Sequence, residues 1–193
     1  MRGIIRTFSV GCACVVCAGE PLRHEAWFDA MAVAVQEVPQ MRSWQSTRIC
    51  GGEQAQSVEV NVSGWSNLWL IVDNCGNYNH DLANWGEARL VSADGRETRL
   101  SELTPCSVQQ QWGHLQKNQN ALGKPLRFPG NQTMEHGLGT HAQSAICFAL
   151  PAHTYTAFRS WYGVDAAKGS GQGEVQFCVA EALPQHEAMK AIW

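Results

Sequence analysis

The stretch GLGTHAQSAICFAL, Gly137 to Leu150, decides how the rest of the chain is read. Two glycines, a threonine and a histidine lead into an alternating apolar run. As chemistry, it offers His141 near Ser144 with Asp165 downstream. A hydrolase triad needs its serine exposed on a strained turn with a base within hydrogen-bond reach. No G-x-S-x-G occurs here, and Ser144 heads an alternating strand, where pleat parity sets its direction. As architecture, Gly137 and Gly139 permit tight turning or close approach of another backbone. Thr140 and His141 can then satisfy nearby backbone groups. The architectural reading is the better one, with His141 a hydrogen-bonding post or a pocket wall.

Outward from that stretch the period of two recurs. AICFAL (145–150), TAFRSWYGV (156–164) and EVQFCV (174–179) read as strands, the last placing Val175, Phe177 and Val179 on one face. Upstream, Val58, Val60 and Val62 share a face, and Leu68 to Val72 is continuously apolar, as in a strand covered on both sides. EARLV (87–91) follows, then an Asp94-Gly95 turn and a short return, ETRL. One helix is expected over residues 20–38, where Trp27, Met31 and Val35 repeat at four-residue spacing before Pro39. Residues 40–57 read as a linker. Many short strands without alternating helices predict an all-β sandwich over residues 57–183 with one N-terminal helix and a tail at 184–193. The glycine-rich DAAKGSGQG (165–173) leads into a strand rather than a helix, so it reads as a loop and not a phosphate cradle.

The 193 residues are 45% hydrophobic and 16% charged, a globular balance, and the net charge of −3 gives no reason to expect nucleic acid. Residues 1–18 resemble a secretory signal, with Arg2 and Arg6, a short apolar segment and small residues before Pro21. That segment is too short to span a bilayer, so a secreted or periplasmic location is expected. Setting aside Cys12, Cys14 and Cys17, five of the eight cysteines remain, allowing at most two bridges and one free thiol.

The richest polar segment is VDNCGNYNHDLANWGEARL, Val72 to Leu90. Amides and carboxylates pair with vicinal hydroxyls, and an indole face takes the apolar face of a sugar ring. The same groups suit a calcium loop, which needs six to eight oxygens. A solvated turn with Trp85 in the core is the plain alternative.

Here a family resemblance enters. Residues 112–180 resemble the NPCBM domain, a carbohydrate-binding module related to carbohydrate-binding module family 51. The resemblance rests on Trp112-Gly113, Gly123-Lys-Pro-Leu126, Gly137-Leu-Gly-Thr-His-Ala-Gln-Ser144, Phe158, Gly163-Val-Asp165 and Val175-Gln-Phe-Cys-Val179. Val58 to Leu90 is similar to a part that usually follows the last of these strands. Either one sandwich is built from a permuted order, or two partial modules meet; a single sandwich is expected. The resemblance implies a jelly-roll, galactose-binding-like β-sandwich without catalysis, binding to galactose-like glycans, often a calcium ion, and attachment to a glycoside hydrolase or surface protein. Of the polar loop, Asp73, Asp81 and Trp85 match the family pattern, with calcium implied at Asp73 and Asp81; the candidate binding surface is Asp73, Asn79, His80, Asp81, Asn84 and Trp85, with His141 and Trp161 further out. Leu82, Asn84 and Gly76 depart from the family pattern of a histidine and two aspartates, which weakens the calcium expectation. Two other classes stay open. One is an interaction or structural domain that has lost the sugar site. The other is a glycosidase using two of Asp73, Asp81 and Asp165.

Overall fold

A computed structural model describes residues 42–76, 79–168 and 172–183. The expected signal segment, the helix at 20–38 and the tail at 184–193 lie outside the described residues. The strands are β1 (Ser43–Cys50), β2 (Gln56–Asn61), β3 (Asn67–Asp73), β4 (Leu82–Ser92), β5 (Glu97–Arg99), β6 (Ser107–Gln110) and β7 (Gln116–Lys117). There follow β8 (Leu126–Phe128), β9 (Gln132–Met134), β10 (Gly137–His141), β11 (Ser144–Ala149), β12 (Tyr155–Val164) and β13 (Glu174–Ala180).

Two antiparallel sheets form a sandwich, as expected. One runs β1-β13-β3-β11-β6; the other runs β2-β12-β4-β10-β7, with β5 on β4. Early and late strands therefore share both sheets: β3 lies between β11 and β13, and β12 between β2 and β4. The reading of 40–57 as a linker needs correcting. Ser43 to Cys50 is an edge strand on β13, and its polar sequence hid it because only Trp44, Ser46 and Ile49 turn inward.

The interior follows from pleat parity. Val175, Phe177 and Val179 of β13 are sealed, as are Leu68, Leu70 and Val72 of β3. Trp85 of β4 meets Phe177 of the opposite sheet edge-on at 4.9 Å between ring centroids, with Phe158 at 6.0 Å. Such pairs add about 1 kcal/mol beyond the area they bury.

The glycines of the opening stretch act through contact distance. A Cβ on Gly139 would lie 2.2 Å from the Gln119 carbonyl oxygen, and one on Gly137 2.4 Å from that of Trp85. The 118–121 backbone thus rests directly on β10, which itself runs between β4 and β7. The β8–β9 hairpin covers the outer face of β4 and β12. Its Phe128 and Met134 sit where Gly86 and Gly163 carry no side chain.

Candidate functional site

Between His141 and Ser144 the chain leaves one sheet and joins the other. His141 pairs with Leu82 at the end of β10, and Ser144 pairs with Val72 and Gln110 at the start of β11. The two-residue crossing is held from both sides. The Ala142 amide donates to the Asp81 carbonyl at 3.0 Å, and the Gln111 amide to the Gln143 carbonyl at 3.0 Å. Gln143 Nε2 donates to Asn74 Oδ1 at 3.2 Å. Asn74, Asp81 and segments 110–112 and 140–143 therefore meet at one rim of the sandwich.

On that rim Trp112 is 52% exposed, and its ring lies 5.1 Å from the His141 imidazole at 54°. The backbone beneath it is fixed. Thr140 Oγ1 donates to Gln110 Oε1 at 2.5 Å, and Gln110 Nε2 donates to the Trp112 carbonyl at 2.6 Å. His141 Nδ1 is 2.6 Å from the Ala142 carbonyl, which makes Nδ1 the protonated nitrogen and leaves Nε2 an acceptor. Burial lowers the His141 pKa, the contact with Ala142 opposes that, and nearby His80 adds to it. The ring is neutral at pH 7. Gln109 Oε1, Gln143 Oε1, Ser144 Oγ and Asp81 Oδ2, all at or beside the crossing, are buried with no protein partner. A rim so built presents a flat aromatic face against a buried imidazole, with amides beside it.

The expected site residues divide. His80 and His141 are brought together, and Asn79 and His80 are exposed. Trp85, however, has 0% exposure and cannot stack on a ligand, which corrects the expectation for it. The sequence reading began the strand at Glu87, whereas β4 begins at Leu82. A bulge at Glu87 (φ +49°) then lets both the Ala83–Trp85 and the Ala88–Leu90 pairs face inward. Asn84 is buried too, donating to Asp165 Oδ2 at 2.5 Å. Asp81 is buried, with Oδ1 accepting the Glu174 amide at 3.1 Å. Burial pushes its carboxyl up to about 6. Asp73 is half-buried and accepts the Cys75 amide at 2.7 Å.

Asp73 and Asp81 are near enough to repel, yet each spends an oxygen on a backbone amide. Among the described residues no group of three or more His, Cys, Asp or Glu side chains could hold a metal ion. This donor set does not fit a calcium shell.

Trp161, 37% exposed, belongs to another face. It pairs with Gly86, four positions along β4 from the Leu82 that faces His141. That is roughly 13 Å along the strand. It lines a 230 Å³ groove with Ser57, Glu59, Arg89 and Arg159. There the Arg159 guanidinium grips Glu59 through two bonds, at 3.1 and 3.2 Å.

Asp165 is a structural node. Asn84, Asn120 and the amides of Arg127 and Ala167 all donate to its carboxylate, at 2.5 to 3.2 Å. Its oxygens are thus committed to binding neighbouring backbone and amide groups rather than His141.

Trp112 was missed as a site residue, although a signal existed. It stands in QQQWGH, with no apolar neighbour to bury it. The thiols of Cys50, Cys75, Cys106, Cys147 and Cys178 are all free.

Comparison with known proteins settles the family. The family model described as NPCBM/NEW2 domain matches residues 30–91 and 96–185. The chain belongs to the NPCBM/NEW2 family. No curated protein matches it. Among solved structures, the SPBc2 prophage-derived protein YomS is similar at 10% identity and a TM-score of 0.33. That match covers 72% of this chain and 95% of the other. In this NPCBM/NEW2 chain the late family motif, Gly137 to Ser144, supplies the sheet crossing, and Trp112 crowns it. No described helix is long and apolar enough to cross a membrane.

Proposed function

We propose that this NPCBM/NEW2 domain is a non-catalytic carbohydrate-binding module whose sugar site is the Trp112–His141 rim. It would serve a secreted or periplasmic glycoside hydrolase or surface system. The observation that carries the reading is the half-exposed Trp112 indole fixed against a neutral imidazole. An indole face packs on the C–H face of a galactose-like ring, and His141 Nε2 accepts a hydroxyl. Asn79 and His80 border the same rim, and Trp161 offers a second aromatic platform on the sheet face. The area buried is small, so a single site binds weakly, in the micromolar to millimolar range. Attachment to an enzyme or a second module raises avidity.

The test is a glycan array followed by calorimetry on W112A, with W161A beside it. Trp112→Ala also removes half-buried surface, so near-UV circular dichroism first checks that the variant is folded. Binding by the folded variant should drop by at least about tenfold. Undiminished binding by W112A rejects the rim as the site. The sealed positions of Trp85, Asp81 and Asn84 favour a second reading, an interaction or structural sandwich that has lost sugar binding. An array on which no glycan binds supports that reading instead. Asp81 and Asp165 are buried and already hydrogen-bonded, which disfavours a glycosidase acid pair.

A further inference from the structure

A cleft of about 530 Å³ opens between the 120–131 segment and the 166–167 turn, apart from the Trp112 rim. Its volume falls within the range of small-ligand pockets. Lys124, Arg127, Asn120, Asn131 and the rings of Pro125 and Pro129 line it, and no carboxylate is among the lining residues. Neither Lys124 nor Arg127 makes an ion pair among the described residues. By contrast, Arg42, Arg48, Arg89, Arg96, Arg99 and Arg159 are each paired. Two unpaired cations on one wall of a concave surface stand out in a chain whose net charge is −3.

The wall that carries them is fixed. Asn120 Oδ1 accepts the amides of Leu122 and Lys124, both at 3.0 Å, which closes the loop bearing Lys124. Asn120 Nδ2 and the Arg127 amide both donate to Asp165, at 3.1 and 3.2 Å. The buried Asp165 carboxylate is met by four donors, and the charged residues lining the cleft are Lys124 and Arg127, both exposed. Asn131 and the proline rings supply an amide and apolar surface. A guanidinium and an ammonium lining one cleft suit a carboxylate or sulfate. The proline rings suit the C–H face of a sugar.

We infer that this cleft is a second glycan subsite, selective for an acidic saccharide whose carboxylate or sulfate sits between Lys124 and Arg127. It is independent of the Trp112 rim, so the two sites can be separated by mutation. The full chain is titrated calorimetrically with digalacturonate, with its neutral dimethyl ester, and with inorganic sulfate. The K124Q/R127Q variant and W112A are run in parallel. Both cationic side chains are on the surface, and near-UV circular dichroism checks that the double variant stays folded.

The expected result is binding of digalacturonate that weakens at least about tenfold in K124Q/R127Q. That binding also weakens as salt rises, is at least about tenfold weaker for the dimethyl ester, and persists in W112A. Equal binding of the ester, no effect of K124Q/R127Q, or no binding of digalacturonate overturns the inference. Sulfate binding as tightly as digalacturonate overturns it too, because the cleft would then recognise a bare anion and no sugar. Loss of digalacturonate binding in W112A assigns it to the rim and likewise overturns the second subsite.

Discussion

Replacing Asp81 with asparagine should stabilise the protein at neutral pH far more than in acid. The Asp81 side chain is wholly buried between the sheet crossing and β13. Burial drives its pKa from the ordinary 3.8 up to about 6. The Glu174 amide opposes this, and the Glu174 and Asp73 carboxylates reinforce it. The folded protein therefore holds the Asp81 proton more tightly than the unfolded chain does. The stabilising contribution is fully present below about pH 4 and is lost as pH rises through about 6. A shift of about 2 pH units corresponds to at most about 3 kcal/mol. The introduced amide keeps a carbonyl for the Glu174 N–H and carries no charge to desolvate. D81N should thus gain about 1–3 kcal/mol relative to the parent between about pH 4 and pH 7.5. That corresponds to a relative rise in melting temperature of roughly 2–10 °C. Thermal unfolding of both proteins across that range measures it. Using the difference between the two pH values removes any fixed packing effect of the amide. A gap between parent and D81N that does not change with pH would refute the argument that a buried charge is being carried.

Other changes test the architecture and the rim. Gly139→Ala drives a methyl group into the Gln119 carbonyl and the Asn120 backbone and should cost about 3 kcal/mol in urea unfolding. Asp165→Ala strands Asn84, Asn120 and two amides around a vanished acceptor. It should cost about 3–5 kcal/mol in the same assay. Burial lowers the His141 pKa, so its stabilising contribution is lost as pH falls below about 6.5. Glycan affinity should be flat from about pH 7 to 8 and fall only in acid, a dependence that His141→Gln removes. EDTA or added calcium should leave the melting temperature unchanged; a calcium-dependent rise would show that Asp73 and Asp81 do hold the ion.

Much of the fold was legible because burial imposes a period on the chain. Phe177 and its neighbours alternate, Leu68 to Val72 runs unbroken, and Asp94-Gly95 marks a hairpin; each is a local pattern with a local cause. β1 was not legible, since an edge strand turns only Trp44, Ser46 and Ile49 inward and can be polar elsewhere. The site was harder still. Trp85 sits in a polar-looking segment, and its direction depends on where β4 starts and on the bulge at Glu87. Those features are set by pairing with β10 and β12, strands far along the chain.

The sequence by itself determined an all-β chain with the motifs of its family and a strand following Ser144. It did so because side-chain period and turn chemistry act between near neighbours. That Gly137–His141 is a strand of its own, in the other sheet, came from the structure. Only the tertiary structure decided which tryptophan meets solvent and which carboxylates are sealed. It alone gathered Asn74, Asp81 and residues 110–112 and 140–143 at one rim. Exposure is a property of what packs on a side chain from distant strands, and no local pattern carries that information.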